Sequence, residues 1–158
     1  MSRQDGYSMI ELIVAIVVGG IILSATGVSI QRADRNSKAG SALHRMLSDV
    51  RFSQETAMGQ NRNVFFTINT SNSSYRATFS DGSLIPTPMK STGLAVFLNT
   101  AEYKGVLITA TGLGGALTFA QNGDPSIGGS PLTSNVVIAT LTGSRSLMIN
   151  AAGYTFIQ

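Results

Sequence analysis

The most unusual chemical setting in this sequence belongs to Glu11, a carboxylate close to the start of the apolar run from Met9 to Val28. An acid inside such a run is rare and is functional by default, so a cationic partner has to be sought for it. Other candidates for chemistry are few. His44 is the sole histidine and there is no cysteine, which removes thiolate nucleophiles, disulfides and Cys-based zinc or iron–sulfur sites. A serine triad would need His44 at a strand-end cleft, but it falls on a predicted helix near an apolar stripe and reads as a surface or packing residue. Gly112-Leu113-Gly114-Gly115 has neither the GxGxxG spacing nor the Gly-Lys-Ser/Thr of a P-loop, so it reads as a turn. Asp81 and Asp124 are isolated acids, where a calcium loop would place several ligands in sequence. The residues predict no enzyme, no cofactor and no metal.

The element that must position Glu11 dominates the composition. Charged residues make up 12% of the 158 residues, against roughly a quarter in an average soluble domain. The positive mean hydropathy of +0.21 is concentrated near the N-terminus. Met9 to Val28 is twenty residues long, eleven of them Ile, Leu or Val. As a helix it would span about 30 Å, the thickness of a bilayer's hydrocarbon core. Those eleven side chains favour insertion by roughly 5 kcal/mol, more than the roughly 3 kcal/mol scale for one central charge, so Glu11 does not veto crossing. A secretory signal peptide fits loosely, with Leu12 to Leu23 as apolar core and Ser24-Ala25-Thr26-Gly27 as cleavage site. Against it, Glu11 interrupts the approach to the core and Arg3 is balanced by Asp5. A plain anchor for an exported β-domain is the other simple reading. Neither explains Glu11.

The residues Gly6-Tyr7-Ser8-Met9-Ile10-Glu11-Leu12 resemble the processing motif of type IV prepilins and type II secretion pseudopilins. The resemblance implies that residues 1–6 are a leader removed after Gly6 by an inner-membrane prepilin peptidase, which also methylates the new N-terminus at Tyr7. Glu11 then becomes the fifth residue of the mature chain, where the family carries a Glu. Tyr7 stands in place of the usual Phe, and Val28 where members often have Pro. The chemistry agrees: cleavage exposes a protonatable amine on Tyr7, and Glu11 is the matching anion. Buried ion pairs are poor sources of stability but good register devices, because a misplaced subunit leaves a charge unpaired in hydrocarbon. The pair is expected between neighbouring subunits, setting their axial stagger, with Gly19, Gly20 and Gly27 allowing close helix contact.

Beyond Val28 the chain turns polar but contains no proline as far as Arg62, so the helix is predicted to continue over residues 29–62 and to end at Gly59 and Asn61. Ala33, Gly40, Leu43, Leu47, Val50 and Ala57, flanked by Met46, recur at helical spacing and form a stripe that needs a sheet to cover it. Arg32, Arg35, Lys38, Arg45, Arg51 and Arg62 outnumber Asp34, Asp49 and Glu55 by the chain's whole net charge of +3. The pairs Asp34/Lys38, Arg45/Asp49 and Arg51/Glu55 stand four apart, so a self-paired solvated face is expected rather than a phosphate stripe. Arg32 and Arg35 would also suit anionic lipid headgroups before assembly.

From residue 63 to 158 the period changes to alternation. Val64, Phe66 and Ile68, a Thr70-Ser71-Asn72-Ser73 turn, then Tyr75, Ala77 and Phe79 predict a hairpin. Further strands are predicted over Leu94 to Leu98, Val106 to Thr111, Leu117 to Ala120, Val136 to Leu141, Leu147 to Asn150 and Tyr154 to Ile157. The expected fold is α+β: a long N-terminal helix, membrane-spanning over 7–28, packed on a mostly antiparallel sheet.

This order, with Leu117-Thr118-Phe119-Ala120-Gln121-Asn122-Gly123 and Leu147-Met148-Ile149-Asn150-Ala151-Ala152-Gly153, is similar to the minor subunits typified by type II secretion protein H and the FimT pilins. That likeness implies a low-abundance subunit that initiates or caps a fibre. Its implied partners are other pilin or pseudopilin subunits, the prepilin peptidase, the inner-membrane assembly platform and membrane lipid. Its implied location is the bacterial inner membrane with the β-domain periplasmic, then the pilus or pseudopilus. Some FimT-type pilins capture DNA through paired C-terminal arginines, and the comparable loop here, Gly143-Ser144-Arg145-Ser146, has one. One arginine makes a poor counterion-release site. DNA binding stays as an alternative through Arg145, joined by Arg76, Lys90 and Lys104 if folding clusters them.

Overall fold

The computed structural model describes residues 8–87, 93–141 and 145–158, with no side chains over 23–30. Gly6, Tyr7 and Lys90 lie outside the described residues, as do Gly143 and Ser144. A single helix, α1, runs Met9–Gln60, as a long stretch without proline permits. The carbonyl of Ser8 accepts the first bonds, from the Glu11 and Leu12 amides at 3.0 and 3.2 Å. Asn61, at φ 50°, closes the other end. Its amide donates to the Met58 carbonyl while that of Arg62 reaches Ala57, the paired bonds of a Schellman cap. Gly59, expected to help stop the helix, is still inside it.

The chain divides into two compact units, Met1–Asp34 and Arg35–Gln158. In the first, the large apolar side chains from Met9 to Ile22 are exposed. Among the described residues, no helix is long and apolar enough to cross a membrane. The apolar run read in the sequence continues to Val28, through the positions whose side chains are not described.

The second unit holds the remainder of α1 and two antiparallel sheets, where one sheet was expected. The larger is built from β1 (Val64–Asn69), β2 (Ser74–Phe79), β3 (Ala95–Phe97), β5 (Leu117–Phe119), β6 (Pro125–Ile127) and β7 (Ser130–Pro131), in the order β3-β2-β1-β5-β6-β7. The smaller contains β4 (Ile108–Ala110), β8 (Val136–Leu141), β9 (Arg145–Ile149) and β10 (Thr155–Ile157), in the order β10-β9-β8-β4. The β6–β7 hairpin was not predicted, because proline begins one strand and ends the other and its turn is Gly128-Gly129. Ser73 ties the two sheets together: its carbonyl accepts from Leu98 and its hydroxyl from the Ile108 amide at 3.2 Å.

Val64 and Phe66 on β1, Tyr75, Ala77 and Phe79 on β2, and Leu147 and Ile149 on β9 point inward, as alternation requires. They meet a helix face made of Ala39, Ala42, Leu43, Met46, Val50, Ser53 and Ala57. The predicted stripe is therefore rotated. Met46 is central, Leu47 is only half-buried and Ala33 is exposed, because small side chains let the helix approach the sheets and large apolar residues do not alone define the contact face. The Tyr75 hydroxyl, almost fully buried, donates to Asp49 Oδ2 at 2.7 Å, and Arg45 Nε reaches the same oxygen at 3.4 Å. Burial first, then the Asp49 charge, holds the Tyr75 phenol far above its ordinary range. Arg51 does not pair with Glu55; its Nη2 donates to the Thr155 carbonyl at 2.9 Å, because a tertiary acceptor lies within reach of the side chain.

Candidate assembly site on the first half of the helix

Glu11 stands in the first turn of α1 and is exposed. A carboxylate there complements the unpaired amides and the positive end of the helix dipole, which steadies the turn that carries it. Met9, Ile10, Leu12, Ile13, Val14, Ile16, Val17, Val18, Ile21 and Ile22 surround it and are 49% to 82% exposed. These side chains occupy successive positions around the helix, so this stretch is apolar on every side instead of along one stripe. A Cβ added at Gly19 or Gly20 would touch nothing within 4 Å, leaving bare backbone open to a close neighbour. The site is thus one acid at the mouth of an uncovered apolar helix. Gly6 and Tyr7, the predicted processing residues, lie outside the described residues, so no geometry joins them to Glu11.

The arginines singled out for DNA do not form a cluster on one sheet. Arg145 begins β9 of the four-stranded sheet, and a Cβ at Gly40 would stand 3.7 Å from its Nη1, so its guanidinium lies along the helix. Arg76 belongs to β2 of the six-stranded sheet. Lys104 is exposed in the loop after β3. Arg62, past the helix end, is held by Asp81 at 2.8 Å and lies 4.1 Å over the Phe79 ring. His44 sits on the open side of α1 beside Arg51 and Phe52. Among the described residues, no group of three or more His, Asp or Glu side chains is gathered as a metal site.

Gly123 and Gly153, which close the two late strand-turn segments, both have positive φ, at 87° and 83°. Both turns rest on the last turns of α1. Gln54 Nε2 donates to the Gly123 carbonyl at 2.9 Å, and a Cβ at Gly153 would come within 2.6 Å of that same nitrogen. Glycine is required there by backbone conformation and by the close approach of the helix.

Residues 1–27 match the prokaryotic N-terminal methylation motif. The fold is similar to that of the minor pseudopilin EpsH from the type 2 secretion system of Vibrio cholerae, with a TM-score of 0.55 over 77% of this chain and 96% of that one. The two are 10% identical, so the likeness is one of fold. No curated protein is significantly similar to the chain. What the chain shares with known proteins is thus a prokaryotic methylation motif at its N-terminus and the fold of a minor pseudopilin.

Proposed function

We propose that this chain is a minor pilin or pseudopilin, a structural subunit that initiates or caps a type IV pilus or a type II secretion pseudopilus. The observation that carries this reading is the uncovered apolar helix from Met9 to Ile22 with Glu11 in its first turn. So much contiguous apolar surface must be buried, in lipid before assembly and against the helices of other subunits afterwards. Before assembly the subunit is anchored in the inner membrane with residues 63–158 on the periplasmic side.

Processing supplies the missing cation. Removal of residues 1–6 frees the Tyr7 amine, methylation leaves it protonatable, and Glu11 of a neighbouring subunit receives it. In a low-dielectric fibre core only the correct axial step satisfies both charges, so the pair selects register more than it adds stability. The subunit does no chemistry of its own. Its partners are other subunits, the peptidase that trims it and the platform that lifts it from the membrane.

The test is mass spectrometry of the N-terminus of the protein isolated from its host. A chain beginning at methylated Tyr7 is expected. A chain still beginning at Met1, or one trimmed near Gly27 as an ordinary signal sequence would be, overturns the reading.

A further inference from the structure

The six-stranded sheet has an outer face, turned away from α1, which the assembly role does not use. On β2 and β3 the side chains of Tyr75, Ala77 and Val96 enter the core, so Ser74, Arg76, Thr78, Ala95 and Phe97 alternate to the opposite face. Register places Thr67 opposite Arg76 and Arg76 opposite Ala95, with Asn69, Ser74 and Phe97 forming the next row. Arg76 and Phe97 are therefore diagonal neighbours, about 7 Å apart along the sheet. Together with Leu84 and the β1–β2 turn these residues line a groove of about 370 Å³, within the usual range for a small-ligand site.

The polar groups in this groove are biased toward donors. Asn69 Oδ1 already accepts from the Ser71 and Asn72 amides, and Asn72 Oδ1 from the Ser74 hydroxyl. Both lone pairs of Asn69 Oδ1 and one of Asn72 Oδ1 are thereby engaged, and both carboxamides still have N–H to offer. Arg76 makes no ion pair with the described residues, and its planar fork matches a carboxylate with two parallel bonds. Beside it Phe97 is 56% exposed, a large aromatic side chain open to solvent. A single cation, several neutral donors and hydroxyls, and one open ring are a poor match for nucleic acid, which needs several phosphate contacts. They match a sugar that carries one carboxylate and several hydroxyls on a ring with an apolar face.

We propose that this groove binds an acidic saccharide, with Arg76 holding the uronate carboxylate, the Asn69 and Asn72 amides and the Thr67 and Thr78 hydroxyls meeting ring hydroxyls, and Phe97 stacking on the sugar ring. The groove lies on the sheet face turned away from the stretch of α1 that packs on the sheets, and none of its lining residues belongs to Met9–Ile22, so the site does not depend on the assembly role.

The test is calorimetric titration of the full chain in detergent micelles with three probes of equal length: oligogalacturonate, its fully methyl-esterified form and a single-stranded oligonucleotide. Oligogalacturonate is expected to bind about tenfold or more tightly than the ester, since esterification removes the charge that Arg76 pairs with. Arg76→Gln should bring the acid down to the level of the ester. Phe97→Ala should weaken both forms, with Phe97→Tyr restoring them, and Arg145→Gln should change neither. Both groove side chains are exposed, so an unchanged melting temperature confirms that these variants fold. Equal affinity for acid and ester, no saccharide binding, or tighter binding of the oligonucleotide with loss in Arg145→Gln would each overturn the proposal.

Discussion

The two halves of α1 follow the same backbone rule and obey opposite packing rules. From Ala39 to Ala57 the apolar side chains keep to one face, and the chain's own sheets cover them. From Met9 to Ile22 they surround the helix and are exposed. The difference teaches which contacts belong to folding: the second half buries its apolar side chains within one molecule, while the first leaves them exposed, the surface on which the proposed assembly role rests.

Four substitution tests and one of pH can break or sharpen that contrast. The largest effect is expected at the far N-terminus. Gly6→Val should abolish processing, read as an unshifted mass, whereas Glu11→Val should be processed normally and fail to enter fibres, read by sedimentation of sheared filaments. Processed Glu11→Val that assembles at the normal level would remove the register role.

Next in size is a matched pair on the helix. Met46, fully buried, should cost about 2–5 kcal/mol of unfolding free energy on replacement by alanine. Ile16→Ala, at an exposed position, should leave denaturant unfolding within about 0.5 kcal/mol and act only on fibre yield. If Ile16→Ala destabilised the isolated subunit as Met46→Ala does, the two halves would not be distinct.

The turn that docks on the second half comes after that. Gly153→Ala forces a side chain into a positive-φ position and against Gln54, and about 1–3 kcal/mol should be lost in thermal unfolding. Tyr75→Phe strips Asp49 of a buried donor and should cost about 1–2 kcal/mol, with fibre register unchanged.

The smallest effect is a pH dependence at the helix end. Hydrogen bonds from the Ser83 hydroxyl and amide, followed by Arg62, lower the Asp81 carboxyl to about 2. A depressed folded-state value stabilises above the ordinary carboxylate range and loses that contribution as pH falls through about 2. Asp81→Asn should flatten the acid limb of a melting-temperature profile slightly, because the group is exposed and screened.

Much of this was legible in the sequence, and the exceptions share a cause. Alternation placed β1 and β2 because Val64, Phe66, Tyr75 and Phe79 are large or β-favouring and point one way, while β8 showed as an apolar run whose alternation is broken by the irregularity between Val137 and Ala139. Glu11 stood out because one charge in an apolar run has few explanations. The contact face of α1 was misjudged because Ala39, Ala42 and Ser53 are buried for their smallness, which hydropathy does not weigh. Arg51 escaped its local partner because spacing along a helix says nothing about a carbonyl on β10. Phe97 gave no signal of exposure, since it lies in the unbroken apolar run Leu94 to Leu98 and only strand register turns it outward.

The bonds from Arg51 to Thr155 and from Gln54 to Gly123 span 104 and 69 residues of chain. Synthesis delivers α1 long before either acceptor exists, so the inner face of its second half waits uncovered. Folding therefore closes late, when the strand carrying Thr155 arrives. A nascent chain stalled short of that point would present Leu43, Met46 and Val50, buried in the finished fold, to whatever chaperone or protease meets it.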